Sequence, residues 1–130
     1  MTFQKGEIGM TEVNNISSIA IKWGDVVIID FGTQSGSEQS GLRPALVVQN
    51  DKGNQFSPTT IVCAITSAKK KKLPTHIDVS ADEAGLKKDS IILLEQVRTV
   101  DKSNIRKICG SVSKNIVEKI HKGLAISFGM

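Results

Sequence analysis

Two polar side chains stand where short apolar runs could hold them fixed for chemistry on a phosphate. Arg43 follows the loop Gly32-Thr33-Gln34-Ser35-Gly36-Ser37-Glu38-Gln39-Ser40-Gly41, which has no large apolar side chain, and precedes Pro44 and an apolar run. A polar, Gly-rich loop leading to an anchored arginine can bind an oxyanion, because a guanidinium presents five donors in a planar fork and stays charged. A flexible hairpin loop with a surface arginine behind it would have the same spacing. The loop does not match the stricter phosphate cradle GxxxxGK[ST]. Thr66 ends another apolar run, and Lys69-Lys70-Lys71-Lys72, the densest charge in the chain, follows it. A hydroxyl beside such lysines can hydrogen-bond a phosphate that they hold. A solvated lysine-rich loop is the plainer alternative. His76 lies near enough in sequence to serve as a base, although a lone His at a strand start is usually a surface residue. No Ser/His/Asp order or pair of carboxylates specifies a hydrolase.

The elements that must carry these groups are short. Val26-Val27-Ile28-Ile29, Ala45-Leu46-Val47-Val48, Ile61-Val62-Cys63-Ala64-Ile65 and Ile91-Ile92-Leu93-Leu94 are bounded by Gly, Pro, Asn, Asp or Ser and predict strands. His76-Ile77-Asp78-Val79 alternates as a half-buried strand should. A sixth strand is expected around 107–112. Ser80 with Glu83 fits a capping box for a short helix that Gly85 can end. Ser113 can cap a final helix whose stripe is Ile116, Val117, Ile120, Leu124 and Phe128. Strands at close spacing with a helix at the end predict a mainly β protein with short helices, built as a small β-barrel. Residues 1–20 show no sustained period and read as a flexible extension. Residues 21–130 read as one domain.

Composition narrows the function classes. The chain has 130 residues and a formal charge of +4, which favours an anionic partner. With no Tyr, one Trp and four Phe, it lacks the rings for a proline-rich peptide groove or a broad base-stacking platform. Two cysteines without CxxC spacing and two histidines specify no zinc site, so no metal and no cofactor are expected. Cys63, inside an apolar run, is expected in the core. No stretch reaches the roughly 20 apolar residues of a membrane span. The expectation is a soluble, cytoplasmic protein.

In combination, GDVVIIDFGTQSGSEQSGLRPALVVQND, FSPTTIVCAIT, KLPTHIDV and DSIILLEQVRTVDK resemble the MazF/PemK family of toxin endoribonucleases, the mRNA interferases. The likeness runs from Lys22 to about Met130. It implies an SH3-like small β-barrel of the MazF/PemK/CcdB type with a C-terminal helix, acting as a homodimer. It further implies sequence-specific, metal-independent cleavage of single-stranded mRNA and inhibition by an acidic, MazE-like antitoxin. On this resemblance Arg43 and Thr66 are the catalytic pair. Ser37, Glu38, Gln39, Lys69, Lys70, Lys71, Lys72, Leu73, Pro74, Gln96 and Arg98 are RNA-binding. The extension over residues 1–20 departs from the family pattern, in which the first strand begins almost at once.

The chemistry agrees with the resemblance. RNA supplies its own nucleophile, the 2′-hydroxyl, giving a 2′,3′-cyclic phosphate and a 5′-hydroxyl with no metal-activated water. A guanidinium, with a pKa above about 12, is a poor base; Glu38, His76 and solvent remain open for that role. Two rival readings are a toxin of the same barrel that binds DNA gyrase and cuts nothing, and a passive single-strand RNA-binding barrel.

Overall fold

Each predicted apolar run forms a strand because its β-branched side chains pack well on a pleated surface. In the computed structural model, which describes residues 20–32 and 41–130, the strands are β1 (Asp25–Asp30), β2 (Leu42–Val47), β3 (Thr59–Thr66), β4 (His76–Val79), β5 (Ser90–Asp101) and β6 (Ile105–Ser111). All pair antiparallel in one six-stranded sheet of order β4-β5-β3-β2-β1-β6. The expected extension lies outside the described residues apart from Ala20, as do loop positions 33–40 with Ser37, Glu38 and Gln39.

The runs are continuous rather than alternating because both sheet faces are covered. Val26, Leu46, Cys63, Ile65, Ile92 and Leu94 pack on one face with Ile116 and Ile120 of the last helix, α3 (Lys114–Ser127). Val27, Ile29, Ala45, Val47, Val62, Val100 and Ile105 form a second cluster on the other face. Cys63 is fully buried in the first cluster, and burial pushes its thiol up to about 12, so it is an inert core residue. The sheet is not closed by hydrogen bonds, since β4 and β6 are its edges. The short helix α2 (Ala81–Ala84), directly after β4, packs on β6. A Cβ on Gly85 would stand 2.4 Å from the Cys109 carbonyl oxygen, and Gly85 has φ +70°, so only glycine fits that approach.

The capping box is present as expected. The Glu83 N–H donates to the Ser80 hydroxyl at 3.2 Å, and the Ser80 N–H donates to the Glu83 carboxylate at 2.8 Å. Ser113 differs: it occupies the N-cap of α3, but its side chain makes no capping bond. The α3 stripe also turns away from expectation, because Phe128 is 58% exposed while Gly123 is buried against Leu94. One helix was not expected. α1 (Asp51–Phe56) is capped by Asn50, and its buried Asn54 accepts from Thr60 at 2.6 Å and donates to the Gln49 carbonyl at 2.9 Å. No helix among the described residues is long and apolar enough to cross a membrane.

Candidate functional site

Backbone bonds fix the neck of the polar loop before any side chain is considered. The Phe31 N–H donates to the Gly41 carbonyl at 2.9 Å, and the Gly41 N–H donates back to the Gly32 carbonyl at 2.6 Å. Gly32 and Gly41 carry φ of +84° and +78°, a left-handed geometry that costs an L side chain and suits glycine at both ends of a hairpin neck. β2 leaves this neck with Arg43 exposed and paired to Ile29 of β1.

The register places Arg43 relative to Thr66. β2 and β3 pair from Val47 with Val62 to Ala45 with Ala64, and that register, extended by two residues, would bring Arg43 level with Thr66. Opposed residues on antiparallel strands share a face, with Cβ atoms roughly 4.5–5.5 Å apart where the ladder continues. Thr66 is partly buried, and its hydroxyl accepts from the Ala68 N–H at 3.1 Å, which turns the chain outward at the strand end. Lysines 69–72 follow directly, all exposed, with Lys72 beside Asp78 at 3.3 Å. Arg43, Thr66 and the lysine run therefore lie along one margin of the sheet.

His76 is buried, with a side chain 4% exposed, which corrects the expectation of a surface residue. The cause is a closed hydrogen-bond chain. The Leu73 N–H donates to His76 Nδ1 at 3.3 Å, which assigns the proton of the neutral ring to Nε2. Nε2 stands 3.1 Å from Glu95 Oε2, and the Thr75 hydroxyl donates to Glu95 Oε1 at 2.8 Å. Burial pushes the Glu95 carboxyl up, but the bonds from Thr75, the backbone and His76 outweigh it and hold the group below its ordinary value. The His76 N–H also donates to the Leu73 carbonyl at 2.9 Å, closing a turn with Pro74 at its second position, where a fixed φ is favoured. Leu73, 43% exposed, and Pro74 are thus presented to solvent at the end of the lysine run.

Glu95 can reach this turn because β5 bulges. From Cys63 to Ala64 β3 advances one residue, while the partner on β5 changes from Val97 to Leu93, leaving Leu94, Glu95 and Gln96 unmatched. The bulge reverses which side chains face which cluster. Before it, Ile92 and Leu94 belong to the core under α3; after it, Val100 belongs to the other cluster. Arg98, opposite Val62, stands past the bulge with its guanidinium carbon 4.5 Å from the Phe31 ring centroid. Phe31 and Arg98 line a cleft of about 330 Å³ with Asp30, Asp101 and Asn104. The structure brings Arg98 beside the loop neck and leaves Gln96 half-buried in the bulge.

Sequence reasoning missed Glu95, Thr75 and Phe31. The first two had a signal in principle, since a carboxylate inside an apolar strand needs polar partners. Among the described residues, no group of three His, Cys, Asp or Glu side chains converges as a metal site requires.

With this geometry in place, the likeness to known proteins is specific. Residues 22–128 match the model of the PemK-like, MazF-like toxin of type II toxin–antitoxin systems. The Endoribonuclease EndoA of Bacillus subtilis (strain 168) is 46% identical over 111 residues, covering 85% of this chain and 96% of that protein. Two solved structures share the fold. An endoribonuclease in complex with its cognate antitoxin, from a Mycobacterial species, superposes with TM-score 0.73 at 22% identity, covering 85% of this chain and 97% of that one. MazF from Deinococcus radiodurans superposes with TM-score 0.71 at 24% identity, covering 86% and 99%. The chain belongs to the PemK-like, MazF-like family of type II toxins.

Proposed function

We propose that this chain is the toxin of a toxin–antitoxin system and a sequence-specific, metal-independent endoribonuclease of single-stranded mRNA. The reading is supported by the β2–β3 register, which, extended two residues past the pair Ala45 and Ala64, would bring Arg43 level with Thr66, close in sequence to lysines 69–72. Family membership supplies the reaction class.

In this mechanism the 2′-hydroxyl attacks the adjacent phosphorus, and a cyclic phosphate forms as the 5′-oxygen leaves. Arg43 stabilises the charge that develops on the phosphorane and assists the leaving oxygen. Thr66 donates to a non-bridging oxygen and orients the scissile group. Lysines 69–72 hold the backbone, and Ser37, Glu38, Gln39, Leu73, Pro74, Gln96 and Arg98 shape the surface that RNA meets. Both ring nitrogens of His76 are engaged, which leaves Glu38 and solvent as the groups to test as base and gives His76 a positioning role. The working form is a cytoplasmic homodimer, held inactive by an acidic antitoxin that competes with RNA. Residues 21–130 constitute the nuclease domain.

The gyrase-binding alternative makes no use of an opposed arginine and threonine, and passive RNA binding needs no such pair either. Arg43→Ala and Thr66→Ala should each lose at least about 10²-fold in cleavage while melting temperature is kept, as loss of one preorganised contact does. Full cleavage by either folded variant would remove that residue from the mechanism.

A further inference from the structure

The backbone around Arg43 is laddered from one side. The β2–β3 pairing runs from Val47 to Ala45, whereas Leu42, Arg43 and Pro44 pair with Asp30, Ile29 and Ile28 of β1. Pro44 brings no N–H to that ladder. Any looseness at the end of β1 is therefore passed on to the segment that carries the guanidinium.

The end of β1 is held in turn by a side chain of β6. Ile28 pairs with Lys107 and Ile29 with Ile105, which leaves Arg106 as an extra residue between two matched ones. Such a bulge twists its strand and re-aims the side chain it carries. Arg106 spends its fork on two elements. Its Nη1 donates to the Ser103 carbonyl at 2.8 Å, in the turn between β5 and β6, and its Nη2 donates to Asp30 Oδ2 at 3.3 Å. The other oxygen of that carboxylate, Oδ1, accepts from the Gly32 N–H at 2.9 Å. The Gly32 carbonyl accepts from the Gly41 N–H at 2.6 Å. A chain of bonds thus runs from Ser103 through Arg106, Asp30 and Gly32 to Gly41, at the start of the segment that holds Arg43.

Two features point to positioning rather than to packing or RNA contact. The side chains of Arg106 and Asp30 are 42% and 38% exposed, so their pair adds little to folding stability. A carboxylate close to a phosphate-binding arginine repels the substrate, which leaves it the task of holding backbone. A weak contact matters where it fixes a reacting group, since misplacement by about 1 Å can cost up to about 10²-fold. We propose that Arg106 and Asp30 are a positioning pair for RNA cleavage: they fix the end of β1 and, through it, the place of the Arg43 guanidinium. The reaction in this inference rests on the nuclease reading above; the bond chain does not.

The test is the kinetics of full-chain variants on a single-stranded RNA oligonucleotide. Arg106→Ala should lower kcat by about three- to fivefold, the ceiling for an exposed pair, with KM within about twofold of wild type. Asp30→Ala also strips the acceptor from Gly32 and should lower kcat by at least about tenfold. Arg106→Lys should recover part of the loss, because it keeps the charge but cannot bridge Ser103 and Asp30 together. Melting temperatures should stay within about 5 °C of wild type. The deciding variant is Arg43→Ala/Arg106→Ala. Against Arg43→Ala alone, removal of Arg106 should change the residual rate no further, because Arg106 acts through Arg43. A further loss of the same size there, or an effect carried wholly by KM, overturns the proposal and makes Arg106 an RNA contact. Amide hydrogen exchange reads the same chain of bonds without RNA. Exchange at Gly32 and Gly41 should quicken about threefold or more in Arg106→Ala, with Val27 and Val47 unchanged; an unchanged neck overturns the proposal. If the wild-type chain cleaves no RNA, the nuclease reading fails, and exchange at the neck still decides whether Arg106 holds it.

Discussion

Glu95→Ala should loosen the turn that presents Leu73 and Pro74, and the structure sets the size of the effect. The wild-type carboxylate receives the Thr75 hydroxyl at 2.8 Å and faces His76 Nε2 at 3.1 Å, both from residues 8% exposed. Leaving one buried donor without an acceptor costs about 1–3 kcal/mol. The Glu95 side chain is itself 32% exposed, so water partly replaces it, and the lower half of that range applies to each donor. For the two donors the sum is about 2–4 kcal/mol. With a urea slope of about 2 kcal/mol/M, the unfolding midpoint should fall by about 1–2 M. The pH dependence gives an independent check. The folded Glu95 lies below its ordinary value of 4.5, so its stabilisation is complete above that pH and is lost as pH falls through the folded value. The gap between wild type and variant should therefore be constant near neutrality and narrow below pH 4.5. RNA affinity should also drop, since the end of the lysine run is no longer fixed. A midpoint unchanged within about 0.3 M, or a gap that widens in acid, would refute the reasoning.

Two further outcomes follow from the same geometry. Replacing lysines 69–72 by Ser should reduce the salt dependence of RNA binding, by about 0.7 in log–log slope for each phosphate no longer neutralised, and weaken RNA of any sequence about equally; an unchanged slope would return the run to a solvated loop. Gly123→Ala should destabilise by about 1–3 kcal/mol in thermal or urea unfolding, because its Cβ would overlap the buried Leu94, and unchanged stability would mean that α3 shifts freely on the sheet.

Much of the fold was legible because β-branched runs between turn residues carry a strong local signal, which located β1, β2, β3 and β5; β4 was read from its alternation, and the strand expected around 107–112 lies at Ile105–Ser111. α1 was missed because Asn50, Asp51, Gly53 and Asn54 read as turn residues; what makes them helical is a cap and the buried Asn54 network, with Thr60 beyond the helix. The packing of α2 on β6 is a contact between distant segments that no local pattern encodes. At the site, Arg43 and Thr66 were visible as residue types at strand ends, whereas their opposition needed the register of β2 on β3. His76 was misread as exposed because its partner Glu95 sits in a bulge that breaks the alternation of β5. Hydrophobic period alone cannot show a bulge in a strand buried on both faces.

The central claim is that the attacking oxygen belongs to the RNA. The direct measurement is an end analysis of single-stranded RNA cleaved by the full chain in EDTA, beside a matched oligonucleotide with 2′-deoxyribose at the mapped cleavage position. A 2′,3′-cyclic phosphate and a 5′-hydroxyl are expected from the first substrate, and binding without cleavage from the second. Cleavage of the deoxy-substituted strand, or a strict requirement for a divalent metal, would contradict it.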